Sequence, residues 1–222
     1  MSKNRTVIIV GTSVCLLSLF IFLLSGCVAK RIKNVDSQGK NIICFGDSIT
    51  LGVGSEPKNN YPVFMSKMML DAHVINAGIE GDTTQEALKR LQNDALNRDP
   101  LLVIIELGGN DFLHKIPFDE TIKNVEEIIK SIQAKGAMVA IADINVGLIM
   151  GEYGAEYRRL SDKYNAIFIP NLFRGILTDL QLKSDFLHPN SRGYQIIAHR
   201  VYRAILPYLN QNRIIKGLRG RS

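Results

Sequence analysis

The chain has 222 residues, 46% of them hydrophobic and 22% charged, enough for one α/β domain with a full core. Its net charge of +6 is carried by the ends: setting aside Lys3, Arg5, Arg213, Lys216, Arg219 and Arg221 leaves 21 basic against 21 acidic residues. A body so balanced excludes a nucleic-acid-binding face, and no internal repeat or low-complexity block divides it.

At the N-terminus Lys3 and Arg5 precede an apolar stretch over residues 7–24, which closes in Leu24-Ser25-Gly26-Cys27. A positive start, an apolar run and small residues at its end make a secretory signal. The closing tetrapeptide resembles the bacterial lipobox, whose cysteine is diacylated after cleavage, so residues 1–26 are expected to be a signal peptide and Cys27 the lipidated residue. An uncleaved transmembrane anchor is the alternative, the stretch being just long enough to span a bilayer. Both readings place the domain in the cell envelope, tethered to a bacterial membrane and facing the periplasm or the exterior. Cys15 leaves with the signal, and Cys44 lies among apolar neighbours as a small core residue. One thiol then stays in the folded domain, and no intrachain disulfide is available.

Residues 27–40 are polar and unpatterned and read as a tether. Ile42-Ile43-Cys44-Phe45 then runs into Gly46-Asp47-Ser48, a buried strand that stops abruptly. Tyr61-Pro62 opens a helix to about residue 70, Pro62 falling in the first turn where its missing N–H is not needed. His73-Val74-Ile75-Asn76-Ala77-Gly78 is a short strand. Thr83 and Glu86 have capping-box spacing, starting a helix with Ala87, Leu88, Leu91 and Ala95 inward. The apolar run at 101–107 is the central strand, covered on both faces. Ile122, Val125, Ile129 and Ile132, at spacings of three and four, predict a helix closed by Gly136. A fourth strand is expected at 137–141, a helix at about 152–164 and a fifth strand at 166–169. The last helix, capped by Ser191, places Tyr194, Ala198, Val201, Ile205 and Tyr208 on one face. The domain is expected to span 41–210, with 211–222 a solvated, disordered basic tail.

Strands alternating with helices imply a parallel sheet covered on both faces, a five-stranded, flavodoxin-like α/β/α sandwich. In that architecture the loops after the first three strands and the loop before the last helix meet at one edge. They carry Ser48, Gly78, Asn110, Asp185 and His188. Each has an ordinary reading: a helix cap, a turn glycine, a loop amide, a surface carboxylate, a turn histidine. Together they supply acyl transfer. Ser48 would attack a carbonyl carbon, His188 would take and return the proton, and Asp185 would fix the imidazole tautomer. The backbone N–H groups of Ser48 and Gly78 and the Asn110 amide would receive the oxyanion.

Gly46-Asp47-Ser48, the block from Asn76 through Gly78 to Thr84, Gly108-Gly109-Asn110-Asp111 and Asp185-x-x-His188-Pro189-Asn190 resemble the four blocks of the GDSL/SGNH hydrolases. The branch they are most similar to is the bacterial thioesterase I/arylesterase/lysophospholipase group, and the resemblance spans about residues 41–209. It implies a Ser-His-Asp esterase acting on acyl esters or thioesters, with no metal and no organic cofactor, and with Ser48, Gly78 and Asn110 as the oxyanion hole. A monomer acting on a small acyl ester or lipid is expected. The chain departs from that branch at Phe112-Leu113-His114, where Gly-Leu is usual; a bulky Phe112 would fill part of the acyl site. The apolar stretch at 145–153 is a candidate wall of that site. A carbohydrate O-acetyl esterase of the envelope uses the same chemistry and stays open, as does a non-catalytic acyl-binding lipoprotein.

Overall fold

The computed structural model describes residues 31–69, 72–146 and 150–220. The expected signal peptide and Cys27 lie outside them. Five strands form one parallel sheet in the order β2-β1-β3-β4-β5: β1 Asn41–Gly46, β2 His73–Gly78, β3 Pro100–Glu106, β4 Met138–Ala142 and β5 Ile167–Ile169. This is the expected α/β/α fold. β3 sits at its centre, and all seven of its residues are buried, which is why its sequence is an unbroken apolar run rather than an alternating one. The register sets Gly46 beside Gly78 on one side and Glu106 on the other, so β2, β1 and β3 end level, and their loops emerge together.

The helices are α1 Ser48–Leu51, α2 Tyr61–Met68, α3 Thr84–Leu91, α4 Gly109–Leu113, α5 Phe118–Ala134, α6 Gly151–Lys163 and α7 Ser191–Arg219. α3 continues in a π-helical turn, Gln92–Leu96. α2 packs on α7, and α5 packs on both α3 and α6. Ile122, Val125, Ile129 and Ile132 are buried as their spacing requires, and Ile128 joins them. Thr83 and Glu86 form the capping box reciprocally.

Three boundaries differ from expectation. The cap of α7 is Asn190, not Ser191: its Oδ1 accepts from the N–H groups of Arg192 and Gly193, and Ser191 is the first helical residue. The helix then runs past 210 to Arg219, so 211–219 is no disordered tail. Asn212 is buried, and its amide donates to the carbonyls of Val35 and Ser37 at 2.8 and 2.9 Å. The domain also begins before 41, at Ile32. Ile32 is buried, Lys33 N donates to Asn165 O, and Asn34 Nδ2 donates to the carbonyls of Gln133 and Ala137. Residues 32–40 thus cross the amino ends of the strands and close that edge. Among the described residues no helix is long and apolar enough to cross a membrane.

Candidate active site

The turn after β1 is built to hold a serine in a fixed position. Asp47 caps α1, its Oδ1 accepting from Ile49 N at 3.0 Å. One turn later Gly52 closes the helix at φ +102°, returning its N–H to Ser48 O. Ser48, at the first helical position, is buried, and its N–H belongs to the group that a helix leaves without internal partners.

The loop before α7 brings the other two groups. Asp185 Oδ1 accepts from the backbone N–H groups of Leu187 and His188 at 2.8 and 2.9 Å, which folds the carboxylate back over its own loop. His188 Nδ1 then lies 2.8 Å from Asp185 Oδ2, and His188 Nε2 lies 3.1 Å from Ser48 Oγ. The three expected residues therefore meet in one chain of contacts, Asp185–His188–Ser48. Burial tends to raise the Asp185 pKa, but bonds from Leu187, the His188 ring and His188 N–H outweigh it and hold the carboxyl below its usual range. Gly54, at φ +88°, lets the chain after α1 lie on this loop; a Cβ there would meet Ser184 Oγ at 2.1 Å.

The expected oxyanion glycine is in the wrong place. Gly78 N donates to Asn76 Oδ1 at 2.9 Å, and a Cβ at 78 would lie 2.2 Å from Leu51 N. Glycine is needed there so that β2 can lie against α1, and its N–H is already used. Gly81, three residues on, lines the cavity beside Ser48 and Asn110. It has φ +79°, and its N–H has no acceptor among the described residues. Its neighbour Asp82 accepts from Asn110 Nδ2 through its carbonyl at 2.9 Å, which fixes the Asn110 amide next to this loop. The sequence signal for Gly81 was its place before Asp82-Thr83, the end of the turn rather than the end of the strand.

Several residues that support the site were given no role in it by the sequence. Arg90 donates to Gly46 O, Ala77 O and the Asp82 carboxylate and stacks on Phe45 at 4.3 Å, binding the ends of β1 and β2 to the glycine loop. Asp111, fully buried, accepts from Thr84 N and from the hydroxyls of Thr84 and Thr121. Glu106, the last residue of β3, is buried directly behind Asp47. Burial and the neighbouring Asp47 hold Glu106 far above the usual carboxylate range, and burial raises Asp47 to about 6. Cys44 is raised by burial to about 12, so it stays a neutral thiol in the core, as expected.

A cavity of about 1080 Å³ opens beside Ser48 and His188. Its walls include Phe112, Ile144, Val146, Met150, Phe173 and Leu177. Asn145, Val146 and Met150 of the anticipated wall segment line it; residues 147–149 lie outside the described residues. Phe112 stands edge-on to Tyr153 with ring centroids 6.2 Å apart, occupying space at the cavity edge as its bulk suggested.

A five-stranded parallel sheet with serine, histidine and aspartate converging at its carboxyl edge defines an SGNH-type serine ester hydrolase. The chain belongs to the GDSL-like Lipase/Acylhydrolase family, whose model matches residues 44–196. Among curated proteins it is 27% identical to esterase TesA of Pseudomonas aeruginosa, over 84% of this chain and 98% of the relative. It is 25% identical to thioesterase 1/protease 1/lysophospholipase L1 of Escherichia coli, over 77% and 86%. Among solved structures, the psychrotrophic esterase EstA from Pseudoalteromonas, inhibited by monoethylphosphonate, superposes with a TM-score of 0.71 at 26% identity, over 77% of this chain and 99% of that one.

Proposed function

We propose that this enzyme hydrolyses esters or thioesters of apolar acyl chains through an acyl-enzyme formed on Ser48. The carrying observation is the continuous contact Asp185–His188–Ser48 at the mouth of a large, apolar-walled cavity. Ser48 Oγ attacks the acyl carbon while His188 Nε2 takes its proton; the protonated imidazole, held by Asp185, then gives that proton to the leaving alcohol or thiol. Water, deprotonated by His188, attacks the acyl-enzyme and releases the acid. The negative oxygen of each tetrahedral intermediate is received by the N–H groups of Ser48 and Gly81 and by the Asn110 amide, which shares with it the N–H that reaches Asp47 at 3.3 Å, each such donor being worth about 3–4 kcal/mol in the transition state.

The cavity favours an acyl chain over an acetyl group: a volume of about 1080 Å³ is at the upper end of small-molecule sites, and its aliphatic and aromatic walls match a hydrocarbon. The test is hydrolysis of p-nitrophenyl esters from acetate to palmitate by the detergent-solubilised full chain and by Ser48→Ala. Loss of about 10⁴-fold or more in kcat in the variant, with an optimum beyond acetate, supports the reading. Equal rates for both proteins would defeat it, and an acetate optimum would move the assignment to carbohydrate O-acetyl esters.

Membrane tethering through Cys27 is part of the proposal and rests on Lys3, Arg5, the apolar residues 7–24 and the sequence Leu24-Ser25-Gly26-Cys27. Incorporation of a labelled fatty acid that disappears in Cys27→Ala is the expected result; labelling unchanged by that substitution would remove the lipid anchor.

A further inference from the structure

Behind the nucleophile turn lies a pair of acids that the hydrolytic scheme does not use. Glu106 ends β3 with its side chain sealed from solvent at 2% exposure. One oxygen, Oε2, accepts from Thr50 Oγ1 at 2.9 Å, and Thr50 Oγ1 lies 3.1 Å from Tyr61 OH. Glu106 stands opposite Gly46 in the β1–β3 register, one residue from Asp47, and both acids are buried, at 2% and 3% exposure. Two carboxylate charges this close in a dry site do not both persist, so one of the two acids holds a proton. Asp47 is the partner with work to do as an anion: its Oδ1 accepts from Ile49 N, and its Oδ2 lies 3.3 Å from Asn110 Nδ2. One carboxylate therefore touches both the turn that carries Ser48 and the amide at the oxyanion position.

We propose that Glu106 is a positioning residue, a protonated carboxylic acid that donates to Asp47 and so fixes Ser48 and Asn110 in one mutual geometry. Its role is exerted through Asp47, and the inference rests on the esterase reading of the site only for its kinetic consequences. In the protonated pair Glu106 donates to Asp47 and accepts from Thr50, so both carboxyls are satisfied in the core. Ionisation of Glu106 would put two anions in contact, break that bond and release Asp47 from its place. The groups around the pair come from every neighbouring element: Cys44 and Asp47 on and after β1, Thr50 on α1, Tyr61 on α2, Asp82 in the loop after β2, Arg90 on α3, Asp111 on α4, Tyr157 on α6, Asp185 and His188 in the last loop, and Tyr194 on α7. Tyr61, Tyr157 and Tyr194 are themselves pushed up by burial first, with the acids adding to it, so the pair sits among neutral hydroxyls.

The test compares the full-chain wild type with E106Q and E106L. An amide at 106 still donates to Asp47 and accepts from Thr50, whereas leucine keeps the volume and loses both bonds. E106Q is expected to keep kcat within about threefold of wild type and to lose the alkaline decline that ionisation of Glu106 produces in the wild type. E106L is expected to lose about 10–100-fold in kcat, the usual effect of removing an outer partner that orients a reacting group, with KM little changed. An E106L enzyme with wild-type kcat, or an E106Q enzyme as impaired as E106L, would overturn the proposal. If E106L does not fold, E106Q decides alone: the same alkaline decline as wild type overturns it. An infrared difference spectrum of wild type minus E106Q at neutral pH reads the proton directly. The carbonyl band of a protonated carboxylic acid is expected, and its absence overturns the proposal whatever the enzyme hydrolyses.

Discussion

The two edges of the sheet bury polar groups for opposite purposes. At the carboxyl edge, the groups around Ser48 bond side chain to side chain: Asp185 to His188, His188 to Ser48, Asn110 to Asp47, Glu106 to Thr50. At the amino edge, amide side chains bond backbone carbonyls: Asn34 to those of Gln133 and Ala137, Asn41 to that of Arg98, Asn212 to those of Val35 and Ser37. The first pattern orients reactive atoms and is compatible with exposure; the Asp185 side chain is 53% accessible. The second satisfies carbonyls that the strands leave unpaired where the chain crosses beneath them. One edge sets a rate and the other holds the chain ends together, so substitutions at the two edges should separate into those that change kcat and those that change stability.

The largest effect that divides them is expected from Asp185→Asn. Its amide can still accept the loop N–H bonds but stabilises no imidazolium, and kcat should fall by about 10³–10⁴-fold. The melting temperature should move by only a degree or two, because an exposed charge contributes little. Its sign with pH follows from its lowered pKa: the bonded carboxylate adds stability above the unfolded value, and that increment disappears as pH falls through the folded one. The comparison breaks if Asp185→Asn unfolds the protein or leaves the rate intact.

Gly78→Ala should cross the divide. A methyl group 2.2 Å from Leu51 N forces β2 and α1 apart, an overpacking cost of about 1–3 kcal/mol, and α1 carries Ser48. Thermal unfolding and kinetics should both suffer. A variant with normal stability and depressed kcat would return Gly78 to the oxyanion hole.

Asn212→Ala belongs wholly to the amino edge. It leaves the carbonyls of Val35 and Ser37 without their donor in a buried setting, which costs about 1–3 kcal/mol, or about 2–4 °C in melting temperature for each kcal/mol in a domain of this size. Esterase activity below the transition should be that of wild type. Measured loss of kcat without loss of stability would show that the two edges are coupled.

What the sequence disclosed depended on whether the reason for a residue is local. The run ending in Gly46-Asp47-Ser48, the central strand, the Thr83–Glu86 capping box and the pairing of Asp185 with His188 three residues later all follow from periodicity or short spacing, and the structure has them. Gly78 ends β2 and Gly81 lies three residues on, and composition does not say which N–H is already taken by Asn76. Glu106 closes an apolar strand as any boundary residue does; its burial depends on the Asp47 and Thr50 that another strand's loop brings to it. Arg90 falls outside the apolar positions that periodicity picks out on its helix, yet it reaches two strand ends. Residues 211–219 show little amphipathic pattern because a single amide, Asn212, rather than an apolar stripe, fastens them. Nothing in residues 32–40 foretells that a helix about 170 positions later, running 29 residues, will meet them.

The smallest expected effect concerns that same junction. Arg219 pairs with Asp36 at 2.8 Å, with side chains 59% and 49% accessible, and Lys216 Nζ donates to Gly39 O at 3.1 Å. The opposite charges suggest an electrostatic clasp between the chain ends. Exposed pairs of this kind contribute about 0–1 kcal/mol and fade with added salt, whereas the Asn212 amide is buried and indifferent to salt. Arg219→Ala should therefore shift the melting temperature by no more than about 2 °C, and the difference from wild type should shrink further in high salt, with kcat unchanged. A shift as large as that of Asn212→Ala, persisting in salt, would mean that charge rather than the buried amide holds the end of α7 against residues 32–40, and the amino edge would then have to be regarded as an ion-paired junction.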